Sequence, residues 1–418
     1  MTIAATVLRS LGTRAPNTAL TREFYTDAEI FALDLEHIFC KEWLFVAHTA
    51  ELPRTGSYLT LQIGAYPVLL TRAGDGVVRA FINSCRHRGA RVCPDSAGTV
   101  SKLVCPYHQW TYQLEGRLFA ARQMDTGFDR AAHGLKPIRC ESVAGYVFVC
   151  LAAEPPDFEP TRRQLDLYLS PHRIPEARVA FESVIIEEGN WKLLWENNRE
   201  CYHCAANHPE LSRTYPDTPT VTSVSGAADD PQIVAHWKRC ESAGLPSQLE
   251  LAADGQTRTA RMPMLGEAVS YTMTGKPAVR RALSDSIPRD LKIGALLLFH
   301  YPTTWNHFLA DHAISFRLLP LTPTRTALTT KWLVHRDAVE GVDYDLEELT
   351  HVWLATNEQD RRIVGENQTG MNCPAYEPGP LSPVTENGVR QFVDWYCSRL
   401  EQRLSRDAVV QCLVGPAG

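Results

Sequence analysis

The spacing of apolar residues divides the chain into a helical start, a strand-rich second part and a mixed remainder. Residues 22–48 repeat apolar side chains at helical spacing, with Thr26 or Asp27 available as an N-cap. From about 57 to 150, short strand-like segments are separated by Gly and Asp-Gly turns. This pattern predicts a compact antiparallel β domain, and a Pro-rich segment at 152–161 predicts a linker that leaves it.

The rest of the chain combines strand and helix patterns, apart from a Gly-, Asp- and Ser-rich stretch at 216–262 that we expect to be irregular. The predicted strands cover 267–273, 294–301, 306–319 and 325–335, and the predicted helices cover 343–368 and 384–404. Strands followed by long helices indicate an α+β fold, in which an antiparallel sheet carries helices on one face.

Composition and charge exclude several classes of function. The chain is 44% hydrophobic and 22% charged, as in average globular domains, and its formal charge of −6 gives no basic surface for nucleic acid or an anionic membrane. The longest apolar run, at 293–299, is too short to span a bilayer. The first twenty residues have two arginines and no acid but no apolar core, so we expect a mobile arm on a cytoplasmic protein.

Twelve cysteines could indicate a disulfide framework, but in a large chain without an export signal, cysteines near histidines more often bind metal. Six of them lie in ordinary sequence context, and we expect them to be small buried hydrophobic residues: Cys40, Cys140, Cys150, Cys240, Cys397 and Cys412.

A first candidate metal centre lies in the β domain, where Cys85-x-His87 is followed, after seventeen residues, by Cys105-x-x-His108. Two cysteines and two histidines could bind zinc in a tetrahedral site. They could also bind a Rieske cluster, in which two thiolates hold one iron of a 2Fe–2S unit and two imidazoles hold the other. Each loop supplies one Cys and one His and lies between strands, which favours the cluster. Cys93 is left over, and we expect it to pack rather than bind metal.

A second candidate centre lies in WENNRECYHCAANHPEL, where His203 and His208 are five residues apart. On an ideal α-helix they would point about 140° apart, so one metal could reach both only if the helix widens or ends between them. Pro209 favours an ending at that point. Asp360, in NEQDRR of a predicted helix, is a candidate third ligand, because two histidines and one carboxylate leave iron positions open for oxygen.

These motifs give the chain a resemblance, over essentially its whole length, to the catalytic α-subunits of Rieske non-haem iron oxygenases. The resemblance rests on CRHRG, CPYHQW and NWKLLWENNRECYHCAANH. It implies an N-terminal helical part of the catalytic domain at 1–45, a Rieske domain at 46–152 and a catalytic domain of the helix-grip, START-like type at 153–418. It also implies one Rieske 2Fe–2S cluster and one mononuclear non-haem Fe(II), the latter held by His203, His208 and Asp360.

The family resemblance further implies a head-to-tail homotrimer, in which a carboxylate three residues before the first histidine bridges the cluster of one subunit to the iron of the next. That carboxylate is usually aspartate but here is Glu200. Glutamate at this position resembles the branch that oxidises quaternary ammonium compounds. The segments WNH…DH, TTKWLVHRDAVEGVDYD and QFVDWY resemble the betaine demethylases, which act on glycine betaine or proline betaine (stachydrine), with a lean toward the stachydrine enzymes.

A betaine cation cannot accept or donate a hydrogen bond at nitrogen, so its site is expected to be an aromatic cage. Phe299 and Tyr301 share one face of a predicted strand, and Trp305 is a third candidate. The alternative for all three is ordinary core packing. No residue could be assigned to the substrate carboxylate.

No G-x-G-x-x-G follows a predicted strand, so we expect no bound flavin or NAD. Electrons would then come from a separate flavin and iron–sulfur reductase that uses NAD(P)H. Four alternatives stay open from the sequence: a choline-type monooxygenase, an aromatic-ring dioxygenase, a Rieske electron-transfer protein and a zinc-binding scaffold.

Overall fold

The structure, a computed structural model, describes residues 2–216, 218, 226–288 and 292–414, with side chains up to residue 406. It divides into two compact units. The larger unit comprises Met1–Ile38, Glu159–Arg173 and Ala177–Gly418, and the smaller one comprises Phe39–Phe158 and Ile174–Glu176.

The smaller unit is built from ten short strands. They are β1 (Leu44–His48), β2 (Ser57–Ile63), β3 (Tyr66–Arg72), β4 (Val78–Ile82), β5 (Ala97–Thr99), β6 (Leu103–Val104), β7 (Thr111–Tyr112), β8 (Leu118–Ala120), β9 (Pro137–Val143) and β10 (Tyr146–Cys150). Seven form an antiparallel sheet in the order β1-β10-β9-β4-β3-β2-β5, and β6-β7-β8 form a second, small sheet. Ala144 and Gly145, both with positive φ, turn the chain between β9 and β10, as a two-residue hairpin turn requires.

The larger unit carries a second seven-stranded antiparallel sheet, in the order β11-β17-β16-β15-β14-β13-β12. Its strands are β11 (Ala177–Glu187), β12 (Glu250–Leu251), β13 (Thr257–Met262), β14 (Ala295–His300), β15 (Thr304–Phe308), β16 (Ala313–Thr322) and β17 (Arg325–His335). Its helices are α1 (Ile3–Thr13), α2 (Glu23–Thr26), α3 (Ala28–Asp34), α4 (Glu159–Leu169), α5 (Trp191–Asn198), α6 (Cys204–Asn207), α7 (Pro231–Ser242), α8 (Leu346–Met371) and α9 (Asn387–Val414).

The register of this sheet aligns one row of side chains across four strands. Arg258 lies opposite Phe299, Phe299 opposite Trp305, and Trp305 opposite Phe316. Directly opposed residues of antiparallel strands point to the same face. The row continues to Thr330, whose hydroxyl accepts a hydrogen bond from Asn357 of α8, so this is the face that α8 covers.

The α+β architecture predicted from the sequence is confirmed. Asp27 caps α3 as expected, because its carboxylate accepts from the N–H groups of Glu29 and Ile30. The helical prediction over 22–48 was too long, since a π-helical turn at Leu35–Phe39 ends the helices before β1. The expected mobile arm was also wrong: residues 3–13 form α1, which buries Val7 and packs on α9.

No helix in the described part of the chain is long and apolar enough to cross a membrane. A cytoplasmic location stays a prediction.

Candidate active site

The loops that carry the first motif hold their cysteines by short backbone hydrogen bonds. The N–H of Cys85 donates to the carbonyl of Ala90 at 2.8 Å, and the N–H of Gly89 returns to the carbonyl of Cys85 at 2.9 Å. Gly89 has a φ of +80°, which glycine adopts without strain. In the other loop the N–H of Cys105 donates to the carbonyl of Trp110 at 2.8 Å. Both thiols are therefore held at fixed positions in the interior.

The two histidines of this motif lie side by side at the surface of the smaller unit. The ring centroids of His87 and His108 are 4.7 Å apart. His87 stacks on Trp110 at 4.9 Å, and His108 stacks on Tyr107 at 3.9 Å. Both histidines are exposed while Cys85 is buried. Buried thiols with paired exposed imidazoles are the donor set of a Rieske cluster whose histidine side faces outward.

Cys93 lies in the same apolar core, and its chemistry is that of a buried thiol. Burial, and after it the charge of Asp95, raises the pKa of Cys93 to about 12. Its backbone is held by the side chain of Asn83, which accepts from the N–H of Cys93 and donates to its carbonyl.

In the second motif, a short helix lies between the two histidines and ends before the second one. Helix α5 ends at Asn198, and α6 spans only Cys204–Asn207, with His203 as its N-cap and His208 as its C-cap. The imidazole centroids are 5.0 Å apart, so both rings face one point. The local break that the spacing required is present.

Asp360 completes this arrangement from α8. Its Oδ1 lies 3.4 Å from Nε2 of His203 and 3.1 Å from Nε2 of His208. This buried oxygen has no hydrogen-bond partner. An unsatisfied carboxylate oxygen that faces two imidazole nitrogens is costly unless a cation lies among them. The three side chains therefore fit a metal ion held by two histidines and one carboxylate.

The other ring nitrogen of each histidine donates to a neighbouring side chain. Nδ1 of His203 donates to Oε1 of Glu200 at 2.5 Å, and Nδ1 of His208 donates to Oε1 of Gln359 at 2.9 Å. Gln359 in turn donates to Glu210 at 2.7 Å. Such contacts fix the tautomer and ring orientation and leave Nε2 for the metal. Gln359 and Glu210 were missed in the sequence, where 149 positions separate them.

Glu200 reaches His203 by a different route from the one expected. The sequence placed both on one face of a continuous helix, one turn apart, but residue 200 lies in the non-helical segment between α5 and α6. Its carboxylate instead accepts from the backbone N–H of Tyr202 and, at 3.3 Å, of His203. The contact with His203 is formed, although the helical reason for it was wrong.

The ionisation of Asp360 and His203 suits a metal site. Burial favours a neutral Asp360, but its close contacts with the imidazoles of His203 and His208 outweigh burial and lower the pKa of the carboxyl. Burial likewise opposes a charged His203, but its contact with Asp360 and its hydrogen bond to Glu200 outweigh burial and raise the pKa of this imidazole to about 10. A cation placed among these groups would replace the proton in balancing the carboxylates.

A cavity of about 70 Å³ opens beside this site and is lined by aromatic rings. Trp305 stacks on Phe316 with centroids 5.2 Å apart, and Phe316 meets the edge of Trp353 at 5.1 Å. Trp353 lies two helical turns before Asp360, which places both on one face of α8. Glu187 also lines the cavity, and burial, followed by the charge of Asp360, raises its pKa to about 8.

Of the three cage residues expected from the sequence, Trp305 alone lines this cavity. Phe299 packs under the guanidinium of Arg199 at 4.2 Å. Tyr301 is fully buried and donates to Gln391. Phe316 and Trp353 were missed, because their positions become apparent only from the strand register and from the helical spacing to Asp360.

Cys201 and Cys204 are joined by a disulfide on either side of His203. This pairing was not expected from the sequence, where cysteines near histidines indicated metal ligands. As a disulfide, Cys204 is not available as a thiolate ligand, and the nitrogen and oxygen donors of the histidines and Asp360 remain.

Comparison with known families matches both parts of the chain. A model of the ring hydroxylating alpha subunit (catalytic domain) matches residues 161–402, and a model of the Rieske [2Fe-2S] domain matches residues 42–141.

Two relatives are similar over nearly the whole chain. The glycine betaine monooxygenase oxygenase subunit of Chromohalobacter salexigens is 47% identical over 395 residues, which cover 93% of this chain and 87% of the relative. The protein of the same name from Pseudomonas aeruginosa strain UCBPP-PA14 is 45% identical, with 97% and 93% covered.

Solved structures of more distant proteins share the fold. The quaternary ammonium Rieske monooxygenase CntA in complex with an inhibitor aligns with a TM-score of 0.71 at 20% identity and covers 94% of this chain and 98% of its own. Naphthalene 1,2-dioxygenase from Rhodococcus sp., bound to indole, aligns with a TM-score of 0.70 at 18% identity and covers 96% and 98%.

Proposed function

The chain belongs to the ring-hydroxylating oxygenase α-subunits with a Rieske domain, and we propose that it removes an N-methyl group from a betaine by oxidation. The two family domains imply one Rieske 2Fe–2S cluster and one mononuclear iron, and the relatives are oxygenase subunits of multicomponent monooxygenases. The protein is accordingly an oxidoreductase that takes electrons from a separate reductase. We propose a flavin and iron–sulfur protein for that role.

The observation that carries the choice of substrate class is the cavity beside His203, His208 and Asp360. Its lining combines four aromatic residues, Tyr215, Trp305, Phe316 and Trp353, with acids and, among the described residues, contains no Lys or Arg. A permanent cation is attracted to aromatic faces by about 1–2 kcal/mol per desolvated contact. Trp305, Phe316 and Trp353 would hold the ammonium, and we propose them in place of the cage expected from the sequence.

Glycine betaine is the first candidate substrate, because the two relatives described above, which align over nearly the whole chain, carry that substrate in their names. Glycine betaine therefore replaces stachydrine, which the sequence resemblance favoured, as the first candidate. The cavity volume of about 70 Å³ is well below the ~300–1,000 Å³ of sites for drug-sized ligands, which favours a substrate of few atoms.

The site residues would act through position and charge. His203, His208 and Asp360 would hold the mononuclear iron, and Cys85, His87, Cys105 and His108 would hold the cluster. When bound, the iron supplies oxygen activation and the cluster supplies an electron. The aromatic rings would hold one N-methyl group toward the iron site and exclude water.

The proposed reaction balances with two electrons and two protons. Glycine betaine and O₂, with these, give dimethylglycine, formaldehyde and water. Hydroxylation of one N-methyl group forms a hemiaminal, whose C–N bond breaks as formaldehyde leaves with the added oxygen. The nitrogen keeps the electron pair and accepts a proton, so the product amine is no longer a permanent cation.

We further propose that Glu200 connects the two metal centres across a subunit interface of a homotrimer. What supports this is its hydrogen bond to Nδ1 of His203, which ties a carboxylate directly to a candidate iron ligand. A second histidine from the exposed cluster side of another subunit could bind the same carboxylate.

The test is a single turnover of the anaerobically reduced holoenzyme with O₂ and a panel of substrates. The panel holds glycine betaine, proline betaine, choline and naphthalene. Formaldehyde from glycine betaine supports the proposal. Formaldehyde from proline betaine alone would show that proline betaine, and not glycine betaine, is the substrate. A hydroxylated or aldehyde product from choline or naphthalene, without formaldehyde from any betaine, would contradict it.

A further inference from the structure

A second cavity, of about 30 Å³, adjoins the aromatic cavity. Tyr215, Trp305 and His307 line both, so the two are neighbours with shared walls. Arg199 and Arg258 line the second cavity but not the first.

Charge separates the two cavities. Among the described residues, the first is lined by the acids Glu187, Glu200 and Asp360 and by no Lys or Arg. The second is lined by Arg199 and Arg258 and by no Asp or Glu. A molecule that lies across both would meet aromatic faces at one end and positive charge at the other. This arrangement is complementary to a zwitterion.

The sheet itself sets this polarity. Arg258 begins the cross-strand row that runs through Phe299 to Trp305 and Phe316, all on the face that α8 covers. Strands are spaced by about 4.8 Å, so the backbones of Arg258 and Trp305, two strands apart, are separated by roughly 10 Å. Both side chains stand on the same face of the sheet, with Phe299 between them, so the row runs from a positive end to an aromatic end.

Both arginines are held in place by the protein interior. Arg258 is 1% exposed and Arg199 is 3% exposed. Nε of Arg199 donates to the hydroxyl of Tyr301 at 3.1 Å. Burial, and after it the charge of Arg199, lowers the pKa of Arg258 to about 9, so the side chain is still charged at neutral pH.

We propose that Arg258, with Arg199, binds the carboxylate of a zwitterionic quaternary ammonium substrate whose cationic end occupies the aromatic cavity. The guanidinium fork matches a carboxylate in geometry as well as charge. This inference rests on the proposed function and adds to it the group that the sequence could not assign. It makes Arg258 a residue that selects betaines over ammonium compounds without a carboxylate.

A first experiment uses the unaltered protein, so that folding is not in question. Binding of glycine betaine, glycine betaine amide and choline to the holoenzyme is measured anaerobically by calorimetry. All three carry the trimethylammonium group, but only the first carries a carboxylate. Since a hydrogen bond to a charged group contributes about 1.5–3 kcal/mol, the other two should bind roughly 10- to 100-fold more weakly. Equal affinity of the three ligands would overturn the proposal.

A second experiment combines this ligand series with variants of the same strand. Arg258→Gln should weaken glycine betaine binding and leave choline binding nearly unchanged, while Arg258→Lys should keep part of the preference. The matched control is Arg261→Gln, since Arg261 is also buried on β13 but points to the opposite face, where it donates to His172. Arg261→Gln should destabilise the fold yet keep the ratio of affinities. If Arg258→Gln weakens both ligands equally, Arg258 has only a structural role and the inference is wrong.

The outcome separates this inference from the proposed reaction. If betaine releases formaldehyde but its binding does not depend on the carboxylate, the inference about Arg258 is wrong and the proposed reaction stands. Carboxylate-dependent binding without formaldehyde would support the binding site and contradict the demethylation.

Discussion

Glu200 has two contacts that a glutamine could only partly reproduce. Its carboxylate accepts from Nδ1 of His203 and from the backbone N–H of Tyr202. A glutamine oxygen could still accept from His203 and so keep the ring oriented, but it would carry no negative charge. Replacing Glu200 by glutamine therefore separates the orientation of the His203 ring from the negative charge of the proposed bridge.

We predict that Glu200→Gln retains both metal centres but lowers turnover by about 10- to 100-fold, the range for residues that support metal ligands. Iron content, the cluster spectrum and formaldehyde release under continuous reduction are the measurements. Glu188→Gln is the control, because Glu188 is exposed and contacts Arg325. Normal turnover of Glu200→Gln would refute the bridging role.

Cys93 offers a second test at the scale of single residues. Its buried thiol, with a pKa near 12, is suited to packing. We expect Cys93→Ala to keep the visible cluster spectrum and to lose about 1–2 kcal/mol of unfolding free energy through the cavity left behind. Cys85→Ala should abolish the spectrum. Loss of the cluster in Cys93→Ala would show that the ligand set is misassigned.

The sequence was most informative where the proposed metal ligands lie close together in the chain. Cys85 with His87, and His203 with His208, form short motifs whose spacing has a chemical meaning. The partners that orient the rings could not be found in this way. Gln359 follows Glu210 by 149 positions, and only the packing of α8 on the segment after α6 brings them together.

At the scale of secondary structure, buried polar side chains concealed one strand. Residues 257–262, TRTARM, were expected to be irregular but form β13, with all six residues buried. Alternation of apolar and polar residues fails as a guide when both faces of a strand are buried and each carries an arginine. The segment 267–273 was predicted to be a strand, but that prediction was wrong. It forms no strand, because it lies among turns next to Gly266 and Gly275.

The turn into α5 depends on a glycine that packs against α8. A Cβ on Gly189 would lie 2.4 Å from Cγ1 of Val364, which is one turn after Asp360 and lines the same cavity. Since valine has little freedom to move away, such a contact would push on the helix that carries Asp360, the proposed third iron ligand.

We predict that Gly189→Ala lowers the unfolding free energy by about 1–3 kcal/mol and reduces iron at the mononuclear site, with the cluster unaffected. The double variant with Val364→Ala should recover much of the iron content. Gly365→Ala is the matched control, because a Cβ there meets nothing within 4 Å. Denaturant unfolding and iron analysis test this, and full iron content in Gly189→Ala would contradict it.

At the scale of the whole molecule, the proposed path of the electron requires two copies of the chain. A chain with Cys85→Ala would lack the cluster, and a chain with Asp360→Ala would lack the mononuclear iron. Each should be inactive alone. Mixed oligomers from co-expression should recover roughly a quarter of wild-type turnover. In an oligomer mixed in equal amounts, half of the subunits keep the mononuclear iron. In a closed ring, half of these subunits would have a neighbour that keeps the cluster.

Size-exclusion chromatography and the ratio of two affinity tags would establish that the mixed oligomers formed. Inactive mixed oligomers of confirmed composition would show that the electron does not pass between subunits.

We propose that one chain carries two separate iron centres. The most direct measurement is the content of iron and acid-labile sulfide in the wild-type protein and in Asp360→Ala, together with the visible spectrum. We predict about three irons and two sulfides per wild-type chain, and about two irons and two sulfides with an unchanged cluster spectrum in the variant. Equal iron content in the two proteins, or zinc in place of iron and sulfide, would show that the chain does not carry two separate iron centres.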